Sequence, residues 1–271
     1  MIEISDHAEL ADRCHGDLLC LWAAQGMVGR RPARPGPDLH SRAWRSADGS
    51  AVAVAGPDLS TRNRIAVHGR ADPAVALVRG VLDAVGPAFR PLGDPDVIAA
   101  VVTGIPELAP VAAFGWMDSR GPVPRRQESG PDASPGGRPP SWLAAADLTD
   151  IRALMSVSFP DSDAQPDGHG VERWAGVRDQ DGRLTAVTAL AWSAPDVGYL
   201  AGVAVHPDAR GRGYGAAVCG FVLHEALASH GAAALMVEER NEPAIRLYRG
   251  LGMSYRTLTA AAVTASLDRR T

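Results

Sequence analysis

The stretch VAVHPDARGRGYG, residues 203–215, decides how the fold of this chain is interpreted. An alternating apolar run ends at His206-Pro207, and a polar turn with three glycines and two arginines leads directly into a helical pattern. Such a turn brings backbone N–H groups together, and the amino end of the helix adds about half a positive charge. Arginine guanidinium groups are forked donors that suit phosphate oxygens. The stretch therefore predicts an anion site, most naturally for a phosphate or pyrophosphate.

Two common phosphate motifs do not fit this turn. A P-loop requires a lysine after its glycines, and the chain of 271 residues contains no lysine. A dinucleotide fingerprint requires a third glycine where Ala216 stands, and no acidic residue about 20 positions further on has the right role. A Rossmann-type nucleotide binder stays open as an alternative, and so does a plain tight turn between a strand and a helix.

The residues around the turn alternate between strand and helix patterns. A hairpin is predicted over 170–193, a strand over 197–205, a helix over 213–229 and a strand over 232–239. The strand, helix and strand form a βαβ-like unit, which normally places its strands parallel. Ligands of open α/β sheets bind beyond the carboxyl ends of such strands, where the turn lies. A further helix is predicted to begin at Asn241 as its N-cap.

The turn resembles the acyl-CoA-binding signature of the GNAT superfamily of N-acetyltransferases, R/Q-x-x-G-x-G/A. The matching residues are Arg210, Gly211, Arg212, Gly213, Tyr214 and Gly215. The segment NEPAIRLYRGLGM is similar to the N-x-x-A-x-x-L-Y-x-x-x-G element of the same family, and its matching residues are Asn241, Ala244, Leu247, Tyr248 and Gly252. The resemblance covers about 142–265. The N-terminal part lacks both motifs, but its strand–strand–helix–strand pattern looks like a degenerate GNAT half.

The resemblance implies an α/β (α+β) fold, with a mixed, mostly antiparallel sheet and flanking helices. This is the acyl-CoA N-acyltransferase fold, here expected in two tandem domains. It also implies an acetyl-CoA-dependent N-acetyltransferase, in which an amine attacks the thioester directly. Pantetheine would pair with backbone groups at Val203, Ala204 and Val205, and residues 210–215 would hold the pyrophosphate. Asn241 would either contact the cosubstrate or serve only as a helix cap.

Tyr248 is the residue to which the resemblance gives a catalytic role. A phenol on a helix that faces the parted strands would protonate the leaving thiolate. Packing alone is the other interpretation, because Ala244, Leu247, Tyr248 and Leu251 share one helical face.

The base that would neutralise the attacking amine is not identified. Some members of the family use a glutamate on the third strand, and GYLAGVAV, residues 198–205, has none. Three other carboxylates fit solvated positions better than a catalytic one: Glu172, Glu238 and Glu239. The missing glutamate keeps a second hypothesis open, a non-catalytic CoA-binding sensor or interaction module.

The acceptor is expected to be a small-molecule or peptide amine of unknown identity. Three aspartates stand where the family keeps its variable acceptor-binding loop, namely Asp161, Asp163 and Asp167. They would attract a cationic amine, or they belong to a solvated loop.

The composition is that of an ordinary globular protein. Net charge is −4, 46% of residues are hydrophobic and 21% are charged. No basic stripe is present, so a nucleic-acid partner is not expected, and the apolar runs are too short for a membrane span.

The histidines show no metal spacing, so no metal is expected. Three cysteines, Cys14, Cys20 and Cys219, indicate reduced thiols in a cytoplasmic protein. Oligomeric state is not predicted.

A stretch rich in proline and glycine predicts the domain boundaries. The stretch Ser119–Ser141 is dense in proline, glycine, serine and arginine and has no periodicity, which is typical of a linker. It separates an N-terminal α/β domain, residues 1–118, from a catalytic GNAT domain, residues 142–271. Within the first domain, one helix is predicted over His7–Gln25.

Overall fold

The computed structural model describes residues 1–27, 40–121 and 138–264. Most of the predicted linker, 119–141, therefore lies outside the described residues. None of the helices in the described part combines the length and hydropathy that crossing a bilayer requires.

The chain divides into two compact units. The first consists of Met1–Trp116, Val237–Arg240 and the residues from Arg256 onward. The second consists of Met117–Met236 and Asn241–Tyr255. This division differs from the predicted boundaries, because most of the last strand groups with the N-terminal unit.

The N-terminal unit contains a mixed sheet with helices. Its elements are β1 (Ile2–Ile4), α1 (His7–Arg13), α2 (Leu18–Ala23), β2 (Arg42–Arg45), β3 (Ala51–Leu59), β4 (Arg62–Gly69), α3 (Ala71–Val85), β5 (Arg90–Gly93), α4 (Pro95–Gly104) and β6 (Leu108–Ser119). They are joined by β12 (Ser254–Val263), which pairs antiparallel with β5. The order is β1-β2-β3-β4-β5-β12-β6. Only β4 and β5 are parallel among the pairings described within this unit.

One apolar core holds this unit together. Trp44 of β2, alanine and valine side chains of β3 and β4, and the buried face of α3 pack in a single cluster. Ala261 of β12 belongs to the same cluster. Burial of apolar area is the main driving force of folding, so this contact explains why the last strand belongs to the N-terminal unit.

The predicted helix over His7–Gln25 is wrong in one respect, because two short helices occupy this range. Backbone φ is positive at His15 (51°) and Gly16 (69°), which ends α1 and reverses the chain. Asp17 then begins α2, since its carboxylate accepts hydrogen bonds from the amides of Leu19 and Cys20, both at 3.1 Å.

From its hairpin to its last helix, the second unit follows the predicted order of elements. They are β7 (Ser141–Trp142), α5 (Leu148–Ser158), β8 (Val171–Arg178), β9 (Leu184–Ala191), β10 (Gly198–Val205), α6 (Tyr214–His230), β11 (Ala233–Val237) and α7 (Glu242–Gly250). The sheet order is β11-β10-β9-β8-β7, with only the β10–β11 pair parallel among the pairings described here. The predicted class, a mixed and mostly antiparallel sheet with flanking helices, is confirmed.

Local chemistry explains these boundaries. The β8–β9 hairpin turns at Gly182 with φ of 83°, and Asp179 accepts a hydrogen bond from the amide of Arg183 at 2.9 Å. Helix α6 ends at Gly231 in the left-handed conformation. Helix α7 begins after Asn241, whose side chain accepts from the amide of Ala244, and has Pro243 in its first turn.

Candidate active site

The site is built where two parallel strands of the second unit part. Strands β10 and β11 pair at only two positions, Gly198 with Ala233 and Tyr199 with Ala234. Beyond Tyr199, β10 continues for six residues to Val205 without a described partner on β11. Its backbone N–H and C=O groups on that side are therefore available to an extended ligand, which would bind as an added strand.

A β-bulge shapes the edge of β10. Ala201 pairs with Ala189 and Ala204 with Val187, so β10 carries one residue more than β9 across this interval. Gly202 lies in the bulge with φ of 61°. A Cβ atom there would lie 2.8 Å from Cη2 of Trp174 and 3.1 Å from Cβ of Ala164. Glycine is required at this position by both backbone conformation and space.

The glycine-rich turn follows directly from β10. A short 3-10 turn, Pro207–Ala209, leads to Gly211 and Gly213, whose φ angles are 74° and 89°. Gly213 is the N-cap of α6 and has no side chain to bind the first amides of the helix. Gly215 allows a close approach, since a Cβ there would lie 3.2 Å from Cγ2 of Val205. The first amides of α6 therefore have no side-chain cap just beyond the end of β10, an arrangement that suits an anion.

Two arginines supply positive charge at this turn. Both Arg210 and Arg212 are exposed. Nε of Arg210 donates to the carbonyl of Val205 at 3.4 Å, and the guanidinium of Arg212 lies 5.4 Å from the centre of the Tyr214 ring. The Tyr214 hydroxyl is buried and has no hydrogen-bond partner in the described part of the chain. The turn thus combines exposed cationic donors with a buried, unused hydroxyl group.

Tyr248 lies on α7 and is 5% exposed. Helix α7 packs on the start of α6, because the side chain of Leu247 approaches Gly215 and that of Leu251 approaches Gly220. Burial raises the pKa of Tyr248 well above its ordinary value, and Cys219 and Tyr199 raise it further. Tyr199 is the last residue of β10 that pairs with β11. With its pKa raised in this way, the Tyr248 phenol stays protonated in the neutral range.

Asn241 acts as the N-cap of α7, where its Oδ1 atom accepts from the amide of Ala244 at 3.3 Å. The structure thus shows one of its two expected roles.

The carboxylates that the sequence suggested all have partners or lie in solvent. Glu172 accepts from the amide of Ser193 at 2.8 Å, and Glu238 pairs with Arg240 at 2.9 Å. Asp167 pairs with both Nε and Nη2 of Arg152. Glu239 and Asp161 are exposed.

The part that Gly202 and Trp174 play in this site was not predicted from the sequence. A glycine inside an apolar strand was the available signal, since it commonly marks a bulge. Trp174 gave no such signal, because an aromatic residue in a hairpin strand is ordinary. Its indole N–H is buried without a hydrogen-bond partner among the described residues.

This arrangement agrees with the comparison to known families. Residues 146–253 match the model of the acetyltransferase (GNAT) family. They form a GNAT acetyltransferase domain. The predicted resemblance is confirmed for this segment, which includes the parted strands, the glycine-rich turn and Tyr248. No curated protein sequence matches the chain.

Solved structures show the same fold over most of the chain. A GCN5-related N-acetyltransferase from Kribbella flavida is 18% identical, with a TM-score of 0.55, and the match covers 94% of this chain and 95% of that one. A Drosophila protein is 16% identical, with a TM-score of 0.57 and 95% of both chains covered. A GCN5-related N-acetyltransferase from Sphaerobacter thermophilus is 16% identical, with a TM-score of 0.52 and 89% of both chains covered. The fold similarity thus extends over nearly the whole chain, beyond the GNAT domain alone, to solved structures of similar length.

Proteins of the GNAT family generally use acetyl-CoA, and two features of this domain bear on that cosubstrate. An unpaired strand edge suits an extended pantetheine arm, and the turn with exposed arginines suits a pyrophosphate. In the described residues, no three histidine, cysteine, aspartate or glutamate side chains are grouped as metal ligands would be.

Proposed function

We propose that this protein is an acetyl-CoA-dependent N-acetyltransferase whose donor site lies in the second unit. The observation that carries the proposal is the parting of β10 and β11 after Tyr199, directly before a glycine-rich turn. The GNAT family assignment supports an acetyltransferase in general. The transfer to nitrogen, and the residues that perform it, are the proposal.

The backbone of Val203, Ala204 and Val205 would bind the pantetheine arm. These residues form the end of β10, beyond its pairing with β11. Residues 210–215 would bind the pyrophosphate through helix amides and the exposed guanidinium groups of Arg210 and Arg212. Asn241 would act first as the cap of α7, and any contact with the cosubstrate would be secondary to that role.

Tyr248 would supply the proton that leaves with the thiol. When bound, acetyl-CoA supplies a thioester that is open to attack by an amine. The leaving sulfur carries negative charge as the C–S bond breaks, and a proton on the phenol oxygen of Tyr248 neutralises it. The raised pKa of Tyr248 keeps this phenol protonated throughout the neutral range. Its burial also excludes water that would compete for the proton.

The amine acceptor would be a small molecule or a peptide. No carboxylate stands on β10, and Glu172 is bound to a backbone amide. We therefore assign deprotonation of the amine to solvent or to the acceptor itself, rather than to a named side chain. The same observation favours a second candidate function, a CoA-binding sensor without turnover.

The N-terminal unit would be a GNAT-like domain without a donor site. Its parallel strands β4 and β5 remain paired over all four residues of β5, from Arg90 to Gly93. A Cβ atom at Gly93 would lie 2.4 Å from the carbonyl oxygen of Val67, so the two strands are in close contact. Helix α3 begins two residues after β4, with no glycine-rich turn between them. One donor site per chain follows.

A two-stage experiment tests the proposal. Thermal unfolding with and without CoA measures donor binding, with NAD as the control nucleotide. Release of free thiol from acetyl-CoA is then followed with a panel of small amines and peptide N-termini. Stabilisation by CoA together with amine-dependent thiol release supports the transferase. Stabilisation without release for any amine supports the sensor, and stabilisation by NAD alone contradicts both.

A further inference from the structure

A third arginine lies at the edge of the sheet where β10 ends. Arg183 is exposed and stands directly before β9, whose residue Ala186 pairs with Val205 of β10. Its Nη2 atom lies 2.5 Å from Nε2 of His206, the residue that follows Val205. Because a guanidinium group has only donors, the imidazole nitrogen accepts this hydrogen bond. The contact fixes Arg183 beside the start of the turn that leads to the glycines.

Arg183 and Arg210 contact consecutive residues of this edge. Nε of Arg210 donates to the last carbonyl of β10 at 3.4 Å, and Arg183 donates to His206, the next residue in the chain. Arg212 follows in the same turn, and all three arginines are exposed. The guanidinium groups therefore gather where β10 passes into the glycine-rich turn, from both the β9 side and the α6 side.

None of these three guanidinium groups forms an ion pair within the described residues. Nearby carboxylates face other groups, since Asp179 accepts from the amide of Arg183 at 2.9 Å and Asp208 lies 3.6 Å from Nδ1 of His206. Other arginines of the same unit do have acidic partners: Arg152 with Asp167, Arg178 with Asp147, and Arg246 with Glu242. Cationic donors without a carboxylate partner, gathered at one edge, suit an anion that carries several charges.

CoA presents two separate phosphate groups to such an edge. Its pyrophosphate joins the pantetheine arm to adenosine, and a phosphate monoester stands on the 3′ carbon of the ribose. A phosphate monoester carries about 1.5 to 2 negative charges near neutral pH. Arg210, Arg212 and the first amides of α6 are assigned above to the pyrophosphate. Arg183 lies beyond them, on the β9 side, and is the cationic group that this assignment leaves over.

We propose that Arg183 binds the 3′-phosphate of CoA, so that this protein distinguishes CoA from dephospho-CoA. The inference rests on the donor site of the proposed function. His206 is a positioning residue, because it accepts one hydrogen bond from Nη2 and holds the guanidinium at the edge of the sheet. A guanidinium has five N–H donors in a rigid fork, so the remaining ones can bind two phosphate oxygens in parallel.

Calorimetric titration of the full-length protein with CoA and with dephospho-CoA tests the proposal, because the two ligands differ only in the 3′-phosphate. The parent should bind CoA about tenfold more tightly, or better, since hydrogen bonds to a charged group contribute on this scale. Arg183→Gln should bind CoA as weakly as dephospho-CoA, with its affinity for dephospho-CoA unchanged. Arg183→Lys keeps the charge without the fork and should retain part of the difference.

Arg249→Gln is the matched control. Arg249 is another exposed arginine of the same unit, near the end of α7, and its guanidinium lies 5.2 Å from the centre of the Tyr255 ring. This variant loses the same charge as Arg183→Gln. It should leave the ratio of the two affinities as it is in the parent, because it has no contact with the edge at His206.

Three results would overturn the proposal while CoA still binds and the proposed donor site stands. The first is equal affinity of the parent for CoA and dephospho-CoA, a result that needs no variant. The second is equal weakening of both ligands by Arg183→Gln, which would indicate a structural role. The third is loss of the difference in Arg249→Gln as well, which would indicate long-range charge alone. If neither ligand binds the parent, both the donor site and this inference are wrong.

Discussion

Replacing Gly202 by alanine tests whether the bulge of β10 is as tightly constrained as the structure indicates. Gly202 has φ of 61°, a conformation that costs an L-residue about 1–2 kcal/mol. The added Cβ would lie 2.8 Å from the ring of Trp174 and 3.1 Å from Ala164. Overpacking of this kind costs about 1–3 kcal/mol. The sum of the two costs predicts that Gly202→Ala lowers the free energy of unfolding by about 2–5 kcal/mol.

The same unit offers a matched control for the steric part. Gly182 has φ of 83° in the β8–β9 turn, and a Cβ atom at this position would have no heavy atom within 4 Å. Gly182→Ala should therefore cost only the backbone strain, about 1–2 kcal/mol. The difference between the two variants isolates the contact of the new methyl group with Trp174 and Ala164.

The assay is urea unfolding followed by far-UV circular dichroism, with CoA affinity measured calorimetrically. Gly202→Ala should weaken CoA binding, because the bulge sets the edge of β10, and Gly182→Ala should leave affinity unchanged. A Trp174→Leu background removes the ring, so Gly202→Ala should cost less there than in the parent. The reasoning is refuted if both glycine variants lose equal stability, within about 0.5 kcal/mol.

Three further predictions concern the donor site and the buried groups around it. Tyr248→Phe should lower kcat about 10²-fold with CoA affinity unchanged, measured by thiol release; an equal kcat would rule out the acid role. Calorimetric titration should give one CoA bound per chain, because β4 and β5 stay paired and leave no edge for a second CoA. Two CoA bound per chain would contradict this. The Cys219 thiol, with a pKa raised to about 12, keeps its proton when folded while the unfolded chain releases it above about pH 9, so stability falls as pH rises. Between about pH 8 and pH 10, the free energy of unfolding of Cys219→Ala, measured in urea, should therefore fall by about 1 kcal/mol less than that of the parent.

Local signals in the sequence predicted the elements of the second unit closely. These signals act within a few residues, so each can be recognised from the sequence without tertiary contacts. They are the turn residues Asp179 and Gly182, the cap at Asn241 and the glycines of the turn before α6. The prediction of one helix over His7–Gln25 was wrong because apolar residues keep a helical spacing on both sides of His15 and Gly16. A left-handed turn there depends on Asp17 starting a new helix, and periodicity alone does not show this.

The sequence by itself predicted the donor side of the proposed site. Glycines at 211, 213 and 215 are a local pattern that predicted an anion site, and the resemblance to the GNAT superfamily gave Tyr248 its expected role. Only the tertiary structure decided where β10 and β11 part, where the bulge lies against Trp174, and which unit holds the last strand. Strand pairing, close contact and burial join residues far apart in the chain, and no local pattern encodes those distances.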